Sequence, residues 1–384
     1  MAHRLISQPK NYDWGVPGAL SKVLGREPSI SREAEIWWGN HPLAGCLIST
    51  HDGLIDFPSW LDQTGTHFPL LAKLLAARQP LSIQVHPSHE QAERGFEDEE
   101  QRGIPLDARE RTYKDRSAKP ELLIALSDEF VALVGFAGQH AVSDRLERWV
   151  SAGAPRSLVA VMEQVAGDSS KAAGLIVRQS SQVEGLVQEL ETWLSSLNLA
   201  KLERPTLGEV KLLQRISAAH PGDSGILFVL LMHHVYLHRG GAVFVPAGEV
   251  HGYVEGMGLE VMLPSDNVIR AGLTSKHKDV EAFLELGDFT HTASPRLVTP
   301  VINPAGDTYE DFGAKFAVHR MSFGCEGFMV SNPTLCFVES GEALVSDSEA
   351  ITLRRGEAAL VLPGATIAPE SVGALLWVVH ADLD

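Results

Sequence analysis

Cysteine is scarce in this sequence, and acidic residues outnumber basic ones. The three cysteines, Cys46, Cys325 and Cys336, are odd in number and widely separated in 384 residues, which argues against a disulfide framework and against a cysteine-rich zinc site. Their small number fits a reducing cytoplasm. The net charge of −17, from 32 basic and 49 acidic residues, argues against a nucleic-acid-binding surface, because such a surface needs a basic field. An anionic small substrate would need a local cationic patch.

Long apolar runs are also missing. There is no stretch of about 18 or more apolar residues, and residues 1–15 (MAHRLISQPKNYDWG) contain no apolar core of a signal peptide. We therefore predict a cytoplasmic protein without a membrane span. With 44% hydrophobic and 21% charged residues, the chain has the composition of a globular protein with two or three packed units.

The order of apolar patterns predicts a mainly β protein interrupted by helices. Short apolar runs bounded by Gly and Pro are typical of strands in residues 1–130 and 221–295. In residues 131–220 apolar residues recur three and four positions apart, which predicts a helical domain. Residues 296–384 contain short apolar runs separated by Gly-Glu and Ser-Asp turns, a pattern typical of a small antiparallel barrel or jelly roll.

Two segments resemble each other and predict a diverged internal repeat: residues 238–251 (HRGGAVFVPAGEVH) and residues 353–366 (LRRGEAALVLPGAT). The first segment ends at His251, whereas the second has no histidine in that place. If both segments belong to barrels, only the first barrel can bind a metal ion at this corner.

Gln84 and His86 are polar residues in an otherwise apolar run bounded by prolines, residues 80–87 (PLSIQVHP). Because side chains alternate in direction along a strand, both residues point to one face, which we expect to be the barrel interior. A buried amide and a buried imidazole need partners, and a metal ion would satisfy both. Taken alone, the pair more often indicates a core histidine beside a hydrogen-bonded glutamine.

His251 ends a more specific pattern, Gly240-x5-Pro246-x-Gly248-x2-His251, which matches the second conserved motif of cupins. This motif predicts a glycine turn, a strand, a proline-glycine turn and then a metal-binding histidine. The alternative is a turn histidine exposed to solvent. Many cupins have asparagine four positions after the histidine, where this chain has Glu255.

Glu121 follows Lys119-Pro120 and precedes an apolar run, so its carboxylate is expected at the entrance of a strand. A single glutamate there would usually lie on the surface. Together with the two histidines and the glutamine described above, it completes a nitrogen and oxygen shell suited to Zn²⁺. Three further histidines could compete for ligand roles, and we interpret them as structural: His89, His233 and His234.

One carboxylate and two cations follow in residues 258–276. Glu260 lies in an apolar strand, where an ionised carboxylate is costly unless it faces a polar cavity or a metal. Such surroundings could raise its pKa towards that of a general base. Arg270 and Lys276 are suited to bind a phosphate or a developing enediolate, although exposed ion-pair partners are an equally good interpretation.

Taken together, these residues resemble one family, the type I phosphomannose isomerases. The similarity covers nearly the whole chain and weakens only in the helical segment and the C-terminal barrel. One departure is Ser117-Ala118, where the family commonly has Asn-His, and this leaves the sugar preference open. The family motifs occur in the family order as Tyr12-Asp-Trp-Gly15, residues 81–87 (LSIQVHP), Lys119-Pro-Glu121, residues 251–256 (HGYVEG) and residues 265–276 (SDNVIRAGLTSK).

The resemblance implies a fold that is mainly β with an α-helical insertion. Its three units would be a zinc-binding cupin (jelly-roll β-barrel) domain in residues 1–130 and 221–295, a helical domain in residues 131–220, and a metal-free cupin-like domain in residues 296–384. The implied reaction interconverts D-mannose 6-phosphate and D-fructose 6-phosphate by proton transfer through a cis-enediol. We expect a monomer that binds this sugar phosphate and neither nucleic acid nor membrane.

The resemblance also implies residue roles. One Zn²⁺ would be held by Gln84, His86, Glu121 and His251. Glu260 would be the catalytic base, and Arg270 would stabilise the enediolate or orient the sugar. The residues that would bind phosphate and hydroxyls or shape the pocket are Lys276, Lys119, Ser82, Lys73, Tyr253, Trp14 and Asp266.

Two other classes are open as alternatives. A cupin dioxygenase with non-haem iron would use two histidines and one carboxylate, and Gln84 as a fourth ligand argues against it. A non-enzymatic cupin that binds a sugar phosphate would have lost the base or the ligands, and all of these residues are present here.

Overall fold

The computed structural model of the chain describes residues 1–290, 294–310, 312–347 and 349–382. Strands form 32% of the structure and helices 28%, so the predicted mainly β class is confirmed. Every helix in these ranges is too short or too polar to cross a bilayer.

Short strands dominate the first third of the chain. The strands there are β1 (Ala2–Ile6), β2 (Val16–Pro17), β3 (Arg32–Glu33), β4 (Glu35–Gly39), β5 (Leu47–Thr50), β6 (Gly53–Asp56), β7 (Leu71–Ala77), β8 (Ile83–Val85), β9 (Glu121–Ala125) and β10 (Phe130–Phe136). The helices between them are α1 (Ala19–Val23), α2 (Phe57–Thr64) and α3 (His89–Gln101). Strands β7, β9 and β10 are buried on both faces, which explains why, apart from Lys73 and Glu121, they are apolar rather than alternating.

The middle of the chain is helical. The helices are α4 (Gln139–Ser151), α5 (Arg156–Val165), α6 (Ser169–Val177), α7 (Ser181–Ser196), α8 (Thr206–Ala219) and α9 (Phe228–Leu231). In α7 the residues at three- and four-residue spacing are buried, as the periodicity predicts: Val183, Leu186, Leu190, Trp193 and Leu194.

The limits of the helical segment differ from the predicted residues 131–220. Residues 131–136 belong to β10 because they continue an apolar run that is buried within a sheet. The helical segment therefore begins at Gln139. At the other end, residues 224–231, predicted to be strand, form a 3₁₀ turn and α9, all buried. Because every residue of this short apolar run is buried, its sequence shows no periodicity that would distinguish a helix from a strand.

The remaining elements are strands, with one helix. They are β11 (Met232–Leu237), β12 (Ala242–Val245), β13 (His251–Met262), β14 (Ile269–Gly272), α10 (Val280–Leu286), β15 (Arg296–Val298), β16 (Val301–Asn303), β17 (Gly306–Tyr309), β18 (Phe316–Ser322), β19 (Phe328–Met329), β20 (Thr334–Ser340), β21 (Glu342–Ser346), β22 (Ile351–Arg354), β23 (Ala358–Val361), β24 (Thr366–Pro369) and β25 (Leu375–Ala381).

Strand β13 organises the first sheet. This ten-stranded sheet runs in the order β11-β10-β13-β9-β12-β15, and β4, β7, β8 and β14 are attached to it. Along its 12 residues β13 pairs antiparallel with β7, β8, β9 and β10. It carries His251 at its first position and Glu260 near its end, so the pairing of one strand places both residues.

The second sheet contains both ends of the chain. Its nine strands run in the order β16-β17-β18-β25-β20-β23-β1-β5-β6, and a four-stranded sheet, β19-β24-β21-β22, completes the C-terminal part. Ala2 lies opposite Val361. The predicted domain of residues 1–130 is thus divided, because β1, β5 and β6 pair with strands of the C-terminal part. Pairing between strands so distant in sequence leaves no local pattern from which it could be predicted.

The two repeated segments each contain a four-residue strand flanked by two glycines with positive φ. Strand β12 lies between two glycines with positive φ, Gly240 and Gly248 at 82°, and β23 lies between Gly356 at 83° and Gly364 at 90°. When these glycines are aligned, Ile367 is the residue equivalent to His251. This is one residue later than in the alignment of the two sequences. Ile367 is fully buried, so an apolar side chain occupies the corner that holds a histidine in the first copy.

Candidate active site

Three strands bring the predicted zinc ligands together. His86 follows β8 directly, Glu121 is the first residue of β9 and His251 is the first residue of β13. The Cα atoms of His251 and Gln84 are partners in the pairing of β13 with β8. The two histidines and the glutamate are buried.

The ligand atoms of these three residues converge. His86 Nε2 lies 3.2 Å from Glu121 Oε1, and His251 Nε2 lies 3.4 Å from Glu121 Oε2. One ligand atom from each residue lies within 4.8 Å of the others. This spacing allows a single divalent ion to contact all three side chains.

Backbone carbonyls orient both imidazole rings. The Nδ1 atom of His86 lies 2.8 Å from the carbonyl oxygen of Asn267, and that of His251 lies 3.0 Å from the carbonyl oxygen of Glu249. Because a carbonyl can only accept, each Nδ1 carries a proton, so in the neutral ring the lone pair lies on Nε2. This is the tautomer that a metal site requires.

One buried nitrogen marks the place for an ion. His86 Nε2 is buried and has no hydrogen-bond partner in the part of the chain that the structure describes. Burial and the positive charge of Lys119 lower the pKa of His86 to about 4, so this imidazole is neutral at pH 7. A neutral, buried nitrogen without a partner fits a metal ligand.

Glu121 is held in its ionised form. Burial alone would raise its pKa, but the nearby Lys119 and His86 outweigh burial and lower it well below the ordinary value. Lys119 Nζ lies 2.7 Å from Oε1, and the Tyr253 hydroxyl donates to Oε2 at 3.0 Å. The carboxylate is therefore ionised at neutral pH.

Gln84 is the fourth predicted ligand and lies beside the other three. Its side-chain Nε2 is 3.2 Å from His251 Nε2, and its Oε1 accepts from the Ser82 hydroxyl at 3.2 Å. The amide thus touches the converging atoms, with nitrogen and not oxygen towards His251.

Glu260 and Lys73 form a second buried charged group. They lie directly opposite each other on β13 and β7, and Lys73 Nζ is 3.4 Å from Glu260 Oε2 and 3.8 Å from Glu35 Oε1. Burial and the charge of Glu121 raise the pKa of Glu260 to about 7. Burial alone would lower the pKa of Lys73, but Glu35 and Glu260 outweigh it and raise that pKa.

Arg270 lies on β14, opposite Gln84 of β8. Burial lowers the pKa of its guanidinium, and the charge of Asp266 offsets this only in part. Asp266 is itself 3.3 Å from His41 Nε2. Arg270 is thus a half-buried cation at one wall of the site, and the exposed Lys276 lies further along the same segment.

A cavity of about 530 Å³ connects these groups. Gln84 and Glu121 reach it from the metal-binding group, and Glu260 and Arg270 line it as well. All the residues predicted to contact substrate line the same cavity: Trp14, Lys73, Ser82, Lys119, Tyr253, Asp266 and Lys276. The structure therefore brings every predicted site residue to one place, while their roles are still predictions.

The polar and aromatic cavity residues that were not found from the sequence include Glu35, Trp37 and His41. Glu35 lies in the buried strand β4, and the argument used for Glu260, a carboxylate in an apolar run, would have found it. Trp37 donates from Nε1 to Glu35 Oε2 at 3.0 Å, and Lys73 Nζ lies 4.5 Å from the centre of its ring. His41 follows β4 and has no sequence signal, because its partner Asp266 is distant in the chain.

The chain is similar to several characterised proteins along most of its length. The profile of the phosphomannose isomerase type I catalytic domain matches residues 2–139. Mannose-6-phosphate isomerase of Escherichia coli (strain K12) is 33% identical over 381 residues, covering 93% of this chain and 94% of the relative. The enzyme of that name from Salmonella typhimurium is 32% identical over 386 residues, covering 93% and 94%.

Solved structures show the same fold. A mutant of phosphomannose isomerase from Salmonella typhimurium superposes with a TM-score of 0.87 at 30% identity, covering 100% of both chains. A zinc-bound mannose 6-phosphate isomerase superposes with a TM-score of 0.84 at 29% identity, covering 99% of both.

A buried pair of histidines and a carboxylate, beside a charged cavity between paired strands, define a metal-dependent enzyme. Because the relatives match nearly the full chain, this class of enzyme can be narrowed to one family. The chain belongs to the type I phosphomannose isomerase family, and the resemblance noted in the sequence is confirmed. The predicted zinc cofactor is supported by the zinc-bound neighbours and by the converging ligand atoms.

Proposed function

We propose that this chain interconverts D-mannose 6-phosphate and D-fructose 6-phosphate by proton transfer through a cis-enediol, with one zinc ion held by Gln84, His86, Glu121 and His251. The observation that carries the proposal is the convergence of two imidazoles and a carboxylate beside a cavity that also contains Glu260. The curated relatives bear the name of this activity, which supports the choice of substrate.

Gln84 completes the proposed shell by presenting its amide oxygen. The amide nitrogen and oxygen have almost the same shape, so a half-turn of the group places Oε1 where Nε2 now approaches His251. Zinc in this shell would polarise the oxygens at C1 and C2 of the open-chain sugar and stabilise negative charge there. Glu121, as the single anionic ligand, leaves net positive charge on the centre.

Glu260 is the proposed base. A pKa of about 7 allows it to accept a proton at neutral pH and to release it again. It takes the proton from C2 of the aldose and returns one to C1, while the hydroxyl proton at O2 moves to O1, so the ketose has the same composition. Lys73, 3.4 Å from Glu260, fixes the carboxylate and favours its ionised form.

Arg270 and Lys276 are the proposed partners of the substrate's negative charges. Arg270 is half-buried, and burial lowers the pKa of its guanidinium more than the charge of Asp266 raises it, so an anion in the cavity would stabilise its charged form. We assign Arg270 to the enediolate and the sugar oxygens, and Lys276, at the more exposed end of the segment, to the phosphate. The residues proposed to orient hydroxyls and shape the cavity are Lys119, Ser82, Lys73, Tyr253, Trp14 and Asp266.

We further propose that the barrels are cupin domains. The zinc-binding cupin would comprise most of residues 1–130 and 221–295, the helical domain would lie within residues 131–220, and a cupin-like domain without metal would occupy residues 296–384. We also propose that the protein is a monomer and that it acts in the cytoplasm. The three free cysteines, two of which are buried, support a reducing compartment.

Turnover of mannose 6-phosphate tests the proposal directly. We expect the purified, zinc-loaded protein to form fructose 6-phosphate, and in D₂O to incorporate deuterium at C1 of the product because the enediol exchanges its proton with solvent. Coupled detection of fructose 6-phosphate and NMR of the product measure both. Binding of the sugar phosphate without turnover would favour the non-enzymatic alternative.

The activity is expected to fall at low pH with an apparent pKa near 7. The proposed base must be ionised, and its raised pKa means that it becomes protonated below about pH 7. The value of kcat/KM should fall about tenfold per pH unit there and level off above. A Lys73→Met variant should shift this limb to higher pH, because a positive charge beside Glu260 is lost.

Lys171→Met provides the control for this shift, since Lys171 is exposed on α6 and lies outside the cavity. A pH profile unchanged by Lys73→Met, or shifted equally by both variants, would contradict the assignment of the acid limb to Glu260.

A further inference from the structure

Asn267 uses its whole side chain to hold a loop in place. It is fully buried, and it lies between Ser265 and Arg270, just before β14. Its Oδ1 accepts from the backbone N–H groups of Lys114 at 2.7 Å and Asp115 at 3.2 Å. Its Nδ2 donates to the carbonyl oxygens of Asp115 at 2.8 Å and Ser117 at 3.0 Å.

Asp115 in turn binds the segment that precedes Asn267. Its carboxylate accepts from the Ser265 hydroxyl at 2.9 Å and from the backbone N–H of Asp266 at 2.8 Å. The loop before β9 contains no strand or helix between residues 102 and 120, so these side-chain contacts replace a backbone ladder. The loop leads directly to Lys119 and Glu121, and its position fixes where β9 enters the site.

The backbone of Asn267 holds the other side of the metal-binding group. Its carbonyl oxygen accepts from His86 Nδ1 at 2.8 Å, which orients the ring and fixes its tautomer. One residue therefore contacts a proposed ligand through its backbone and, through its side chain, the loop that delivers a second ligand. Breaking its side-chain contacts would loosen both at once.

We propose that Asn267 is the positioning residue of the metal centre, holding His86 and the strand of Glu121 in the geometry that retains zinc. The inference rests on the ligand assignment made above. Asn267 does not line the cavity, so its effect is on retention of the ion rather than on the substrate. Outer contacts of this kind typically change metal affinity by about 10-fold to 100-fold.

The test is the rate at which zinc leaves the protein. In Asn267→Asp the side chain keeps its shape but cannot donate to the two carbonyls, and it places a second carboxylate 3.1 Å from Asp115 Oδ1. We expect zinc transfer to a chromophoric chelator to become about tenfold faster or more, while kcat with excess zinc changes less than the dissociation rate. A faster rate despite a folded protein separates positioning from general stability.

Asn303→Asp is the matched control. Asn303 makes the same kinds of contacts, donating to Thr308 Oγ1 at 2.9 Å and accepting from the backbone N–H of Ala305 at 3.0 Å, but in the C-terminal sheet. Its variant should release zinc at the unmodified rate. The double variant Asn267→Asp with Asp115→Asn removes the like-charge pair and should restore much of the zinc retention.

An unchanged dissociation rate in folded Asn267→Asp, or an equal acceleration in the control, would overturn the proposal. If Asn267→Asp does not fold, Ser265→Ala replaces it, because this hydroxyl joins Asp115 to the backbone N–H of Asn267 at 3.1 Å. We expect Ser265→Ala to release zinc about threefold faster, and an unchanged release rate in this variant would also overturn the proposal. A wrong ligand assignment is seen separately, as zinc retained by His251→Ala.

Discussion

A His251→Ala variant is expected to fold and to lose both its zinc and its turnover. The imidazole is fully buried, and its Nε2 lies 3.4 Å from Glu121 Oε2, so alanine removes one of the two imidazoles of the proposed zinc shell. We expect zinc to bind at least about 10³-fold more weakly, equivalent to about 4 kcal/mol. Elemental analysis after dialysis, beside the assay for fructose 6-phosphate, measures both losses.

His89→Ala is the control for this variant. His89 is three residues from His86, and its sequence position made it a competing ligand, but it is exposed as the first residue of α3. Its replacement should leave one zinc per chain and normal turnover. Stoichiometric zinc in His251→Ala after dialysis would show that the ion is held elsewhere, and the proposed shell would then be wrong.

Three members of the metal-binding group could be predicted from sequence because each of them has a local signal. Gln84 and His86 are separated by the strand period, and the turn before His251 depends on glycine at a position where φ is 82°. These features are short in sequence and specific in geometry. Glu121 had no such signal, and only its combination with the others and the family motif identified it.

The rest of the site depends on pairing that no local pattern records. The Glu35–Lys73–Glu260 group exists because β4, β7 and β13 are neighbours, and His41 reaches Asp266 across the cavity. The same limitation explains the division of the first predicted domain, since β1 pairs with β23. Local sequence indicated most of the segments that form strands, but it could not indicate which strands are neighbours.

The buried charges of the cavity alternate in sign. Lys119 lies beside Glu121, and Lys73 lies between Glu35 and Glu260. Each cation lowers the cost of burying a carboxylate that would otherwise take up a proton. The two carboxylates nonetheless have different pKa values. Against the effect of burial, Lys119 lowers the pKa of Glu121 well below the ordinary value, whereas burial and the negative charge of Glu121 raise the pKa of Glu260 to about 7. Such a separation suits one carboxylate to bind a metal and the other to exchange protons.

A Glu260→Gln variant should keep its zinc and lose most of its turnover. Glutamine has nearly the same shape and can still contact Lys73, so the proposed ligands on β8, β9 and the start of β13 are undisturbed. It cannot accept a proton from C2, and loss of a general base typically costs about 10²-fold to 10⁴-fold in rate. We expect kcat to fall within that range, KM to change by less than about fivefold, and the acid limb near pH 7 to disappear.

The Glu35→Gln variant tests whether the base is Glu260 or its neighbour Glu35. It removes the second carboxylate near Lys73, whose Oε1 lies 3.8 Å from Nζ. Glu260, whose Oε2 lies 3.4 Å from the same Nζ, stays in place. Loss of this negative charge should lower the pKa of Glu260 modestly, because Glu35 contributes to raising it. The acid limb should therefore move to lower pH while kcat stays within about tenfold of normal. If Glu35→Gln instead abolished turnover and Glu260→Gln retained a near-normal kcat, the proton would be carried by Glu35, and Glu260 would serve only to balance the charge of Lys73.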